Sequence, residues 1–257
     1  YYYHAWSSEI IYFLNQQRSL LALQKAEKMK KQAFADRYPY GIFSCIRTMG
    51  HIYKSRGNFD LSAQYYQEAL DYMLKNMPDQ DPSQLYSNLA EYYRNTQKDY
   101  ATALDYCEKA LKSAKTERNI AQAMIEKCLI LFRQGRIDEF NDCYKEAVQM
   151  ADRCKLSANV SLLIAHISKN ILDKQYEQAH AHADQLSEKG LQQHAYIYEY
   201  AKDYPKAIKY LKKYHQQLDS TNNLLQLSDI AEQNTQIGAE RLKMENIQAT
   251  TRYRITL

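Results

Sequence analysis

Apolar residues recur along most of the chain at three- and four-residue spacing, in segments separated by short polar turns. Between residues 4 and 35, one stripe runs through Trp6, Ile10 and Phe13, and a second contains Leu23 and Met29 with lysines on its opposite side. Spacing of this kind predicts amphipathic α-helices. The pattern therefore predicts an all-α protein.

The stretch from Gly50 to Leu70 shows how these helices are paired. Small residues stand where two helices would touch, and aromatic residues stand where the gap between them would be filled. A glycine lies at the turn between the two segments. The residues of this pattern are Gly50, Tyr53, Gly57, Phe59, Ala63, Tyr66, Ala69 and Leu70.

The same order of residue types returns further along the chain. Units are recognisable over residues 42–76, in the segment that ends at Leu111, around Gly135, around Tyr176 and over residues 195–214. The third unit has one extra residue in its turn and no glycine there. One hairpin cannot bury its apolar faces alone, so a stack of neighbouring hairpins is expected.

This succession of a small residue, a tyrosine, a turn glycine and an alanine resembles the tetratricopeptide repeat. Ser62 stands where the repeat usually has an alanine. The resemblance implies a helical-hairpin solenoid of about six repeats over residues 1–216, with about twelve to fourteen helices in antiparallel pairs. It also predicts that five alanines are buried between helices: Ala69, Ala103, Ala110, Ala147 and Ala207.

From Asp219 the pattern changes to one polar segment whose apolar residues have the three-four spacing of a coiled-coil seam. We expect residues 217–257 to form a C-terminal connector helix that relays a signal and lets two copies of the chain associate. The alternative is a capping helix that covers the last repeat. The seam consists of Leu227, Ile230, Asn234, Ile237, Arg241 and Met244.

A repeat array followed by such a helix, here residues 226–246, is similar to the sensory region of certain bacterial two-component sensor histidine kinases. The resemblance implies that a membrane span and a kinase core follow the connector in a longer protein. It places the array on the extracytoplasmic, periplasmic side of a membrane. A cytoplasmic location is the alternative, and the odd number of cysteines, five, argues for it.

The charge and apolar content of the chain limit which classes of partner are expected. The net charge of +4 is spread along the chain without a long basic run, so a nucleic-acid partner is not expected. No apolar run approaches the about 20 residues that a transmembrane helix needs. The chain starts at Tyr1 without a methionine, and we expect it to be a segment of something longer. Cys107 and Cys128 occupy repeat positions that pack between helices.

The sequence offers little for catalysis. It lacks a glycine-rich phosphate loop. His180, His182 and Asp184 are close in sequence, but on a helix only His180 and Asp184 share a face, which is too few ligands for zinc. We therefore predict no catalytic residue, no metal and no cofactor for this segment. The full-length parent would be the kinase.

The concave face of the array is the candidate binding surface. In such arrays the first helix of each hairpin lines this face, which usually receives a peptide or a protein. A basic row with hydrogen-bonding neighbours would suit an acidic or carboxylate-bearing segment. The alternative is an ordinary solvated helix face. The projected residues are Arg47, His51, Lys54, Ser87, Asn88, Glu91 and Arg94.

Three functions follow. The first is a sensory, partner-binding domain of a membrane-anchored histidine kinase. The second is a free-standing intracellular adaptor or scaffold that uses the same surface. The third is a regulatory domain of a transcription regulator, whose DNA-binding part would lie outside this segment.

Overall fold

The computed structural model describes residues 2–16, 18–156, 159–187, 189–227 and 230. These residues form α-helices, turns and one π-helical turn, and none of them is in a β-strand. The predicted all-α helical-hairpin solenoid is confirmed. Eleven helices precede a further helical stretch over residues 204–227, which we call α12. The eleven are α1 Tyr2–Asn15, α2 Ser19–Ala35, α3 Pro39–Ser55, α4 Phe59–Asn76, α5 Ser83–Tyr92, α6 Tyr100–Ser113, α7 Glu117–Arg133, α8 Ile137–Arg153, α9 Val160–Leu172, α10 Tyr176–Ala183 and α11 Gly190–Tyr200.

The chain divides into two compact units. The first comprises the described residues of 1–56 and of 218–257, and the second comprises residues 57–217. In the first unit, α1 packs against both α2 and α3. Gly41 marks a close approach of these helices, because a Cβ there would lie 3.0 Å from the Tyr3 ring and 3.1 Å from the Ala33 Cβ. A larger residue at Gly41 would force α1, α2 and α3 apart.

In the second unit each helix packs on the next one, and the odd-numbered helices also pack on one another in series. Contacts join α5 to α7, α7 to α9 and α9 to α11. This arrangement places the first helices of successive hairpins in one layer, as a helical-repeat solenoid requires. The five alanines predicted to be buried are all buried, and so are Cys107 and Cys128.

Local chemistry fixes where the helices begin. Asp81 lies just before α5, and its carboxylate accepts a hydrogen bond from the Ser83 N–H at 2.9 Å. It also accepts from the Lys115 N–H at 2.8 Å and from the Asn119 amide at 2.9 Å, at the start of α7. Burial alone would raise the pKa of Asp81, but these hydrogen bonds hold it below its usual value. Among the described helices, four begin with a side-chain N-cap: Asn58, Asp99, Thr116 and Asn159.

The turns between paired helices share a left-handed residue. Gly57 and Gly135 have positive φ, as expected of glycine after a helix. The extra residue of the third unit is absorbed as a π-helical turn, Tyr93–Gln97, and Lys98 follows it at φ +57°. Other turns without glycine also place a lysine in this conformation, including Lys202.

One helix boundary differs from expectation. The sequence indicated a change from hairpins to a separate helix at residues 219–223, but residues 204–227 are helical without a break. After Pro205 this stretch contains neither proline nor glycine, so nothing in it terminates a helix. Among the described residues, no helix has the length and apolar character required to cross a membrane.

Candidate partner-binding surface

Arg47, His51 and Lys54 lie on one face of α3, because residues four and seven positions apart are neighbours on a helix surface. All three side chains are half-buried. The Arg47 guanidinium lies over the ring of Phe43, with Cζ 5.3 Å from the ring centroid. The Arg47 Nε is buried and has no hydrogen-bond partner among the described residues. We call these three residues the α3 row.

The charge state of His51 is set by its burial and by the two cations beside it. Burial, together with the neighbouring cations Arg47 and Lys54, lowers the pKa of His51 to about 4. His51 is therefore neutral at pH 7. The row thus presents two cations with an uncharged imidazole between them.

The other projected residues belong to the second unit. Ser87, Asn88 and Glu91 are half-buried on α5. Their assignment to a partner-binding surface stays a prediction.

Arg94 departs from the projection, because its side chain is only 7% exposed. Its Nε donates to Glu126 Oε1 at 2.5 Å, and its Nη2 donates to Glu126 Oε2 at 3.2 Å. A third hydrogen bond runs from Nη1 to Asn95 Oδ1 at 2.8 Å. The projection assumed a regular α-helix, whereas Arg94 lies in the π-helical turn, whose wider repeat shifts the register. The Arg94 charge is therefore satisfied inside the protein.

Glu126 was missed by the sequence interpretation. It is a single acidic residue within the apolar run of α7 between Ala121 and Phe132. A charge in such a run is rarely buried unless it is paired. That rule would have predicted a basic partner on a neighbouring helix.

The histidines of α10 and α11 form contacts that the sequence did not predict. His180 Nδ1 and His194 Nδ1 are 2.7 Å apart, and His194 Nε2 is 3.0 Å from Asp184 Oδ1. His182 points elsewhere and stacks on His166, with ring centroids 5.1 Å apart. Within the described part of the chain, no group of three or more His, Cys, Asp and Glu residues is arranged to hold a metal ion.

Of the proposed relay helix, only the first two seam residues are described. Leu227 and Ile230 are both exposed. Asn234, Ile237, Arg241 and Met244 lie outside the described residues, so their role stays a prediction.

Comparison with known families identifies one part of the chain. A family model of the tetratricopeptide repeat matches residues 42–116, which cover most of α3 and all of α4 to α6. The match supports tetratricopeptide repeats over these residues. No curated protein matches the chain.

Solved structures share the fold over most of its length. PilW, a type IV pilus biogenesis factor, matches with a TM-score of 0.55 and 13% identity, covering 87% of this chain and 97% of its own. NprR in complex with its cognate peptide NprX matches with a TM-score of 0.54 and 16% identity. The match covers 90% of this chain and 74% of NprR. Aspartyl phosphate phosphatase F from Bacillus subtilis matches with a TM-score of 0.51 and 17% identity. The match covers 84% of this chain and 70% of the phosphatase. At identities this low the likeness establishes the fold alone.

Proposed function

We propose that this repeat domain binds a peptide or protein partner through the α3 row and that the partner presents a carboxylate. The observation that carries the proposal is the buried Nε of Arg47, which lacks an acceptor among the described residues. A buried donor without an acceptor costs about 1–3 kcal/mol. Because that atom is out of contact with solvent, a partner carboxylate would remove the cost by drawing the half-buried Arg47 side chain toward it.

The electrostatics of the row favour the same ligand. Arg47 and Lys54 are cations, and a guanidinium or ammonium that donates to a carboxylate forms a stronger hydrogen bond than a neutral pair does. His51, uncharged at pH 7, can still donate or accept one hydrogen bond. An acidic side chain or a chain terminus meets these requirements better than a neutral or basic segment does.

Repeat arrays are suited to this task because their stacked helices form an extended surface for a partner chain. The NprR structure, which shares the fold, holds its cognate peptide. A non-catalytic binding role also agrees with the sequence, which offers no catalytic constellation. This support is general, and the contacts proposed here rest on α3.

The test is binding of fluorescein-labelled peptides rich in Asp and Glu, measured by fluorescence anisotropy. The double reversal Arg47→Glu with Lys54→Glu should weaken binding by at least about tenfold, as loss of about 1.4 kcal/mol would. Lys28→Glu with Lys31→Glu is the matched control, because both lysines are exposed on α2 and the charge change is the same. The control should bind like the parent chain, and all three proteins should melt at similar temperatures. Equal binding by both double variants would refute the role of the α3 row.

We further infer that the domain is the sensory region of a membrane-anchored histidine kinase, located outside the cytoplasm, and that its C-terminal helix relays binding to the kinase. The resemblance of residues 226–246 motivates this inference. The unbroken helix over residues 204–227 and the exposure of Leu227 and Ile230 support it, since a relay helix needs a free seam. Two copies would associate through that seam.

Two experiments separate this inference from the adaptor and the transcription regulator. The full-length reading frame should contain a membrane span and kinase motifs, whereas a DNA-binding segment or no further domain would favour the alternatives. Single cysteines at positions 234 and 241 should crosslink symmetrically in the native membrane, and the yield should change with stimulus. If neither position crosslinks and removal of residues 224–257 unfolds the array, the segment is a cap.

A further inference from the structure

Two cysteine thiols are in contact where α7 packs on α8. Cys128 Sγ and Cys143 Sγ are 2.7 Å apart, and the residues are 15 positions apart in the chain. A disulfide has an S–S distance of about 2.05 Å, so a relative shift of well under 1 Å would bring the sulfurs to bonding distance. Cys128 is fully buried, whereas Cys143 is partly exposed.

We propose that Cys128 and Cys143 form a redox-responsive pair that a hydroperoxide oxidises to an intramolecular disulfide, which ties α7 to α8. This inference is independent of the proposed partner and of the α3 row. It assigns a modification site to the second unit of the chain.

The repeat pattern explains why the two sulfurs meet. Cys128 occupies the position of the first helix where a small residue allows the second helix to approach. Ala147 and Ala151 are buried on the facing α8, which also permits close packing. The thiols therefore touch because the hairpin is tightly packed at this level.

The two thiols have different roles. The Cys128 thiol donates a hydrogen bond to the Cys143 sulfur, and this bond, together with the charge of Lys127, lowers the pKa of Cys143. The same hydrogen bond and burial raise the pKa of Cys128. Since the thiolate is the nucleophile, and since Cys143 is the thiol that solvent reaches, Cys143 is the residue that reacts first.

The reaction balances with hydrogen peroxide as the oxidant. The Cys143 thiolate attacks one peroxide oxygen, the S–O bond forms, the O–O bond breaks, and hydroxide leaves, which gives a sulfenic acid. Cys128 then gives up its thiol proton and attacks the Cys143 sulfur. The S–S bond forms, the S–O bond breaks, and the departing hydroxide takes that proton as water. Two thiols lose two electrons, and the peroxide is reduced to two waters.

The remaining cysteines provide internal controls. Cys45 and Cys107 are buried, and burial raises the pKa of Cys45 to about 12, so both should stay reduced. Cys154 is partly exposed where α8 ends. It should react with peroxide as a single thiol.

Peptide mapping of the full chain tests the proposal. The protein is treated with stoichiometric hydrogen peroxide, alkylated, and digested with trypsin without reductant. Cleavage after Lys127, Arg133, Arg136 and Lys145 places Cys128 in residues 128–133 and Cys143 in residues 137–145. The expected product is a species with the mass of these two peptides joined by a disulfide. Reduction should convert it into the two separate peptides. Accumulation of Cys143 sulfenic acid without this product, or a link from Cys143 to any other cysteine, would overturn the pair.

Three variants sharpen the assignment. Cys128→Ser should leave Cys143 as a sulfenic acid that dimedone traps, and Cys143→Ser should leave Cys128 unmodified. Cys154→Ser, the matched control directly after the same helix, should form the linked product as the parent chain does. Oxidation of Cys128 in the Cys143→Ser protein would contradict the order of events.

The disulfide should also stabilise the hairpin, because it closes a loop of about 15 residues in the unfolded chain. We expect the melting temperature of the oxidised protein to exceed that of the reduced protein by about 3–8 °C. The difference should vanish in Cys143→Ser. An unchanged melting temperature in the linked protein would exclude a stabilising role.

Discussion

The helix α7 and the stretch of α12 over residues 204–217 both carry apolar residues at helical spacing, but their surroundings differ. α7 packs against α5, α6, α8 and α9, and Ile130 is completely buried. On α12, Ala207 is buried as predicted, but Ile208 is 53% exposed and Leu211 is 42% exposed. The pattern of a repeat thus marks the face that contacts its own hairpin. Burial of the rest depends on a further helix beyond it.

Charges show the same contrast. On α7, Glu126 is buried and is satisfied by Arg94. On α12, Lys206, Lys209 and Lys212 are exposed beside the apolar side chains. A charge in the interior must find a partner, whereas a charge at the surface is solvated. A charged residue is therefore structural in the interior of one helix packing and replaceable on the surface of the other.

The largest effect should come from the buried ion pair. Glu126→Gln leaves the Arg94 guanidinium buried without its counter-charge, and breaking such a pair costs about 3–5 kcal/mol. Urea unfolding followed by circular dichroism measures the loss. The matched control is Asp105→Asn, which removes the exposed pair with Lys109 on α6 and should change stability by less than about 1 kcal/mol. Equal losses in both variants would mean that burial does not distinguish the two pairs.

A substitution of the same residue type at both places tests the comparison directly. Ile130→Ala should destabilise the protein by about 2–5 kcal/mol, because it removes a fully buried side chain and leaves a cavity. Ile208→Ala should cost less than about 1 kcal/mol, since its side chain is largely in water already. The free energy of unfolding of each variant, from the same urea series, decides. A large loss in Ile208→Ala would indicate that this face is covered in solution.

Much of the fold followed from the sequence because small residues at repeat positions have one physical meaning. Ala69, Ala103 and Ala110 are buried because two helices meet there, and no distant residue changes that requirement. The register of a turn is less secure. The extra residue before Tyr100 could have lengthened a loop, but it is absorbed as a π-helical turn.

The candidate site was harder to predict because it depends on contacts between helices far apart in sequence. Arg94 was projected onto the surface, and its pairing with Glu126 became visible only in the folded chain. The contact between His180 and His194 likewise joins α10 to α11. The α3 row needed only the regularity of one helix. For that reason its three residues share a face as projected.

An intermediate loss of stability is expected where the helices of the central hairpins are already closely packed. Ala110 is completely buried on α6, whereas Ala101 on the same helix is exposed. Ala110→Leu should cost about 1–3 kcal/mol by overpacking. Ala101→Leu adds the same atoms at the surface and should stay within about 0.5 kcal/mol of the parent chain. A thermal melt of Ala110→Leu that matches that of Ala101→Leu would count against the close contact at Ala110.

The smallest effect concerns the turns that lead into α8 and α12. Gly135 and Lys202 both have positive φ, at +71° and +61°. A Cβ at Gly135 would meet nothing within 4 Å, so Gly135→Ala should cost only the backbone strain of a left-handed residue, about 1 kcal/mol. Lys202 already bears that strain. Lys202→Gly should therefore stabilise the protein, because relief of the strain contributes about 0.5–1 kcal/mol. The entropy that glycine adds to the unfolded chain reduces this gain.

The control for the turns is Lys202→Ala, which removes the charge and keeps the Cβ. It should leave the free energy of unfolding within about 0.5 kcal/mol of the parent value, because Lys202 is exposed. If Lys202→Gly destabilises the protein while Gly135→Ala does so as well, the two turns differ in solution. Residue 202 then does not adopt the left-handed conformation in solution. The turn between α11 and α12 is in that case less ordered than the turn between α7 and α8.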